Sequence, residues 1–132
     1  MDNEQNKVID CINNMTSAFH QQHIDQVMAN YEEGAAVMFE PRSATSDTTE
    51  VQHKFEAAFQ IKPQFAYPKG HEVHIANGIA LHIAPWIMKG QTPDGTDIEQ
   101  SGLSVAVLRQ QEDNSWRLVL DNPYGSSLLE NN

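Results

Sequence analysis

Between Lys7 and Phe19 the apolar residues Val8, Ile9, Ile12, Met15 and Phe19 recur at helical spacing, with Asp10, Asn13, Asn14 and Ser17 on the opposite side. That pattern predicts an amphipathic first helix. After a break at Gln21-Gln22-His23, the residues Ile24, Val27, Met28 and Tyr31 fall at i, i+3, i+4 and i+7, the stripe of a second, shorter helix that Gly34 would stop. The mostly apolar run Ala35 to Phe39 reads as a strand closed by Glu40-Pro41, since proline cannot continue a central ladder, and Arg42 to Ser46 reads as loop. Asp47, with Glu50 three positions on, predicts the start of a third helix whose stripe is Val51, Phe55, Ala58 and Phe59 and whose end is Pro63.

The period then changes. Phe65 to Ala76 and Ile79 to Lys89 read as strands joined by Asn77-Gly78, the strongest two-residue hairpin signal. Gly90 to Gly95 is a second turn, followed by a strand from Asp97 to Arg109, a polar turn at Gln111 to Ser115, and a last strand from Trp116 to Asn122. Pro85, inside a strand, points to an edge or a bulge. The order α-α-β-α-β-β-β-β, helices first and an antiparallel meander after, implies an α+β domain spanning residues 1–132. Three helices would pack on one face of a curved antiparallel sheet, enclosing a cone with an open mouth, the geometry in which small ligands are held.

Composition narrows the function classes. The 132 residues carry 8 Lys+Arg against 18 Asp+Glu, a formal charge of -10, with no concentrated basic patch. Nucleic acid and anionic membrane surfaces would repel such a chain. No run approaches the length of a membrane span, the N-terminus lacks a basic segment followed by an apolar one, and the single Cys11 cannot form an intrachain disulfide, so a cytoplasmic location is expected. No glycine-rich phosphate loop, dinucleotide fingerprint, Ser-His-Asp signature or paired CxxC is present; cofactor independence is the expectation.

Against that order of elements stand specific residues: Phe19 before the break, Tyr31-Glu32-Glu33-Gly34-Ala35-Ala36-Val37, Glu40-Pro41, Trp86 with Gly90 and Asp94-Gly95, and Trp116-Arg117-Leu118-Val119-Leu120-Asp121-Asn122-Pro123. Over residues 5 to 125 the chain resembles the nuclear transport factor 2-like superfamily, most of all its SnoaL-like and ketosteroid-isomerase-like branch of small bacterial proteins. The resemblance implies a cystatin-like α+β barrel and a homodimer formed through the sheet. It also makes Glu40 a candidate base, because the steroid isomerases of that branch place a carboxylate directly before a proline at the end of the first strand. Their oxyanion hole does not carry over: the corresponding places hold Met15 and Ala106, neither of which can donate a hydrogen bond to an enolate.

Further candidates come from the residues themselves. Strand alternation puts Gly102, Ser104 and Ala106 on one face of the long strand, where small side chains leave either room for a ligand or a close seat for a helix. It puts Arg117, Val119 and Asp121 together on the last strand; facing inward, Asp121 would pair with Glu40 or Arg117 and form a two-carboxylate site suited to activating water. His82, between apolar Leu81 and Ile83, is either a general acid/base or a satisfied histidine on the dimer-facing sheet surface. The pairs His71/His74 and His20/His23 lack chelating geometry, so no metal is expected. Cys11, with no cation nearby in sequence, reads as inert. The expected catalytic set is thus Glu40, Asp121 and His82, and the expected cavity lining is Met15, Phe19, Tyr31, Phe55, Trp86, Ser104, Ala106 and Val119. Two functions fit: a cone acting on a small, partly apolar metabolite by general acid/base chemistry, as a cofactor-independent isomerase, dehydratase or hydrolase, or a non-catalytic ligand-binding or dimeric interaction module whose cavity its own side chains fill.

Overall fold

Asp2 caps the first helix: its side chain accepts from the Gln5 amide while the Gln5 side-chain oxygen accepts from the Asp2 amide, so α1 (Asn3–His20) begins five residues before its apolar stripe. The computed structural model describes residues 1–130. The second helix, α2 (Ile24–Met28), is a little over one turn long, and Tyr31 does not continue it; β1 (Tyr31–Glu40) starts there instead. Gly34 lies inside β1 at φ +77, in a stretch where the register with the neighbouring strand shifts, so the glycine makes an irregularity in a strand and does not end a helix. The residues after Arg42 form a short strand, β2 (Ser43–Thr45), hairpinned to β1.

Asp47 caps α3 (Thr48–Ala58) through the Glu50 amide, 3.0 Å away, whereas the Glu50 side chain is held by the Thr45 hydroxyl and does not complete a capping box. The segment read as one strand from Phe65 to Ala76 is two, β3 (Gln64–Ala66) and β4 (Glu72–Ala76), divided by a turn at Tyr67 to Gly70. Then come β5 (Ile79–Gln91), β6 (Asp97–Gln110) and β7 (Trp116–Asn122). Asn77 and Gly78, both at positive φ, make the two-residue hairpin turn between β4 and β5. Pro85 sits opposite the gap between β3 and β4, where no strand on that edge asks for its missing N–H.

The seven strands form one curved, open sheet in the order β2-β1-β7-β6-β5-β3, with β4 also on β5. It is mixed and not wholly antiparallel, because β1 runs parallel to β7. A single core runs between α1, α3 and the concave face, and includes Val8, Ile12, Phe19, Val37, Phe55, Ala80, Leu108 and Leu118. No helix among the described residues is long and apolar enough to cross a membrane.

One irregularity places the site. Leu108 pairs with Leu118 but Val107 pairs with Leu120, so β7 spends two residues against one of β6. The bulge at Val119 breaks the alternation expected for β7. Buried Leu118 lies on the inner face and Arg117 is exposed, yet Asp121, paired to the buried Ala106, also faces inward. Arg117, Val119 and Asp121 therefore do not share a face.

Candidate functional site

Between α1, α3 and the concave sheet lies a cavity of about 270 Å³. Most of its wall is aromatic and aliphatic: Phe19 from α1, Phe55 from α3, and Phe65, Trp86 and Met88 from β3 and β5. Phe19 is the hub, meeting Phe55, Phe59 and Phe65 edge-on at centroid distances of 5.8, 4.9 and 5.8 Å. Tyr31, Thr16, Tyr67, Ser104, Gln100 and Asp121 supply polar atoms, and among the described residues no Lys, Arg or His lines the cavity.

The polar centre is a pair. Tyr31 Oη donates to Asp121 Oδ2 at 2.6 Å, while no hydrogen bond reaches Asp121 Oδ1 among the described residues. Burial pushes the Asp121 carboxyl above its ordinary range, and the Tyr31 hydrogen bond pulls part of the way back. Burial, reinforced by the Asp121 charge, holds the Tyr31 phenol far above its usual value, so it stays protonated and donates. A second hydroxyl pair, Thr16 Oγ1 with Tyr67 Oη at 3.0 Å, stands on the same cavity wall. Burial also raises the Tyr67 phenol.

Of the residues expected from sequence, Met15, Phe19, Tyr31, Phe55, Trp86 and Ser104 line the cavity together with Asp121. Ala106 and Val119 do not. Ala106 is wholly buried in the sheet opposite His82 and Asp121, and Val119 sits at the bulge. Glu40 is exposed at the end of β1 outside the lining, so it forms no two-carboxylate site with Asp121. His82 is entirely buried on the inner face of β5, not on the outer surface, and also lies outside the lining. Its Nε2 meets His71 Nδ1 at 2.8 Å and its Nδ1 has no partner. Burial, with the His71 ring beside it, drops the His82 pKa to about 4.

The other histidines stand apart: His74 pairs with Glu72, and His20 Nε2 accepts from the Phe65 amide. Among the described residues no three His, Cys, Asp or Glu side chains gather as a metal site. Burial pushes the Cys11 thiol up to about 12. Three residues of the polar lining, Thr16, Tyr67 and Gln100, escaped the sequence reading. Thr16 lies four residues beyond Ile12 and three before Phe19, on the same α1 stripe, and Tyr67 precedes Pro68, a turn signal inside the segment read as continuous strand.

Several solved structures share this architecture. A nuclear transport factor 2-like superfamily protein from Salmonella enterica superposes with a TM-score of 0.81 at 11% identity, covering 92% of each chain. The chain has the nuclear transport factor 2-like fold. A candidate ketosteroid isomerase from Shewanella frigidimarina matches at TM-score 0.70 and 16% identity over 85% of this chain and 90% of its own. A candidate scytalone dehydratase from Novosphingobium aromaticivorans matches at 0.79 and 10% over 89% and 80%. No family model and no curated protein matches the sequence. In its nuclear transport factor 2-like frame, the concave face and the helices over it carry the cavity described above, and identities this low establish fold alone.

Proposed function

We propose that the chain binds a small, uncharged, partly apolar metabolite in its cavity and moves a proton on it, with Asp121 as the acid/base group and Tyr31 as its partner. One observation carries this reading: a partly buried carboxylate in the wall of a largely aromatic cavity, one oxygen held by a tyrosine hydroxyl at 2.6 Å and the other without a hydrogen bond among the described residues. A carboxyl raised by burial is closer to the working pH of a general base, and an apolar site strengthens its interaction with the substrate. With no cation in the lining and one carboxylate, the cavity disfavours carboxylates, phosphates and other anions. The volume, just under the usual range of ligand pockets, suits a compact molecule. Proton abstraction beside a carbonyl, or loss of water from such a compound, is the chemistry this arrangement supports. The names of the Shewanella and Novosphingobium proteins favour the same classes.

Glu40 and His82 receive no catalytic role in this reading, because neither borders the cavity. The outer sheet face supports a homodimer: Leu81, Ile83, Leu103, Val105, Val107 and Leu120 leave apolar surface partly open there. The deciding experiment follows exchange of the α-protons of cyclohexanone for deuterium in D2O by NMR, with wild type beside Asp121→Asn. Exchange by wild type that the variant loses is expected. Binding without exchange would leave a ligand-binding module, and the absence of both would overturn the reading.

A further inference from the structure

Gly102 lies opposite Trp86 in the β5/β6 ladder, and the tryptophan takes the room a side chain there would need. A Cβ on Gly102 would stand 2.7 Å from Trp86 Cζ2, 2.9 Å from Cε2 and 3.0 Å from the Pro123 carbonyl oxygen. Its backbone has no positive φ that would require glycine, so space, not conformation, sets the residue. The indole is fixed on two further sides: Nε1 donates to Pro123 O at 3.0 Å, and Phe65 meets it edge-on with centroids 5.6 Å apart. Trp86, Phe65 and Pro123 all border the cavity, as does Tyr124, whose hydroxyl donates to the Phe39 carbonyl at 2.8 Å. A side chain at 102 cannot push the indole through Pro123 or Phe65. The open direction is the cavity.

We propose that Gly102 is a specificity-determining residue: by letting the Trp86 indole recede against β6, it sets the largest ligand the cavity takes, an uncharged ring compound of one or two rings. The inference rests on the proposed ligand site and adds the size limit and the residue that fixes it. Gly102→Ala moves the indole inward and narrows the cavity, while Trp86→Phe removes the indole and its bond to Pro123 and widens it. The two substitutions act on one wall with opposite sign, which separates control of size from general damage.

The test titrates wild type, Gly102→Ala and Trp86→Phe with cyclohexanone, 1-tetralone and anthrone, one, two and three rings, by calorimetry, with circular dichroism confirming the fold. Wild type is expected to bind the first two. Gly102→Ala should keep cyclohexanone within about twofold and lose 1-tetralone by about tenfold or more, the scale on which a single misplaced methylene group discriminates. Trp86→Phe should admit anthrone. If Gly102→Ala does not fold, the widened range of Trp86→Phe decides alone. Unchanged size preference in the folded variants, with wild type binding, overturns the role of Gly102 and leaves the ligand site standing. Failure of wild type to bind any of the three overturns both.

Discussion

Tyr31 Oη and Asp121 Oδ2, 90 positions apart in sequence, are joined by a 2.6 Å hydrogen bond between the first residue of β1 and the penultimate residue of β7. Parallel pairing of these two strands brings the residues together on the concave face. The bond favours the ionised carboxylate, against the burial that disfavours it. Tyr31→Phe therefore raises the Asp121 pKa further. The midpoint of any Asp121-dependent pH profile, in proton exchange or ligand binding, should move upward, and loss of a hydrogen bond to a charged group should cost about 1.5–3 kcal/mol of stability. An unmoved midpoint in folded protein would count against the pair.

Asp121→Asn should stabilise the fold at neutral pH. The carboxyl has a folded pKa above its unfolded value of 3.8, so the native state holds its proton longer. That contribution is favourable below pH 3.8 and is lost as pH rises through the folded value, leaving a penalty at pH 7. Asparagine can still accept from Tyr31 and carries no charge to bury. The melting temperature should rise at pH 7, by about 3–6 °C for each kcal/mol recovered in a chain of this size. The gain should vanish near pH 3.5. A variant less stable than wild type at pH 7 would refute a burial penalty on this carboxylate.

Glu40→Gln should change neither melting temperature nor ligand affinity, since Glu40 is exposed and outside the cavity wall. Surface substitutions of this kind fall within about 0.5 kcal/mol. Equal loss of function in Glu40→Gln and Asp121→Asn would return Glu40 to the site.

Acid should weaken the fold through His82. Its folded pKa of about 4 lies below its unfolded value of 6.5, so its stabilisation is complete above pH 6.5 and is lost as pH falls toward 4. His20 and His71, both lowered by burial, act in the same direction. Denaturant titrations at pH 7.5, 5.5 and 4.5 should show the decline, of which His82 supplies about 3 kcal/mol at most. In His82→Leu, which also removes the unpartnered Nδ1, the slope over that window should be shallower; an identical slope would assign the acid sensitivity elsewhere.

Val107→Glu should separate a dimer. Val107 faces outward between Leu81 and Leu120, so a carboxylate there would be buried against a second copy. Light scattering is expected to give twice the chain mass of 14.8 kDa for wild type and the single mass for the variant. A monomeric wild type ends that reading.

The stripe of Val8, Ile12 and Phe19 and the Asn77-Gly78 hairpin were legible because each is a local pattern with one dominant physical solution. Tyr31 was not. It continues a helical stripe in spacing, but α2 stops at Met28 and parallel pairing with Leu118, distant in sequence, draws Tyr31 into a strand. Six of the eight residues expected to line the cavity do so, whereas Val119 and Ala106 do not, because alternation was carried across a bulge and because a small inward residue can be sealed within the packing. The family resemblance points to Glu40 through its place before Pro41, and only the tertiary structure shows it turned to solvent. For His82 the sequence leaves a general acid/base and a histidine on the dimer-facing surface both open, because periodicity separates two faces without saying which one the helices cover.

The bulge at Val119 makes the site a matter of counting. With Val119 taken into an even ladder along β7, Leu120 would turn inward and Asp121 would pass to the outer face, with every residue of the chain unchanged in identity. Two chains could then share all the cavity's side-chain types and differ in chemistry through strand register alone. In comparing proteins of this fold, the register of the last strand carries more functional weight than many substitutions in the aromatic wall.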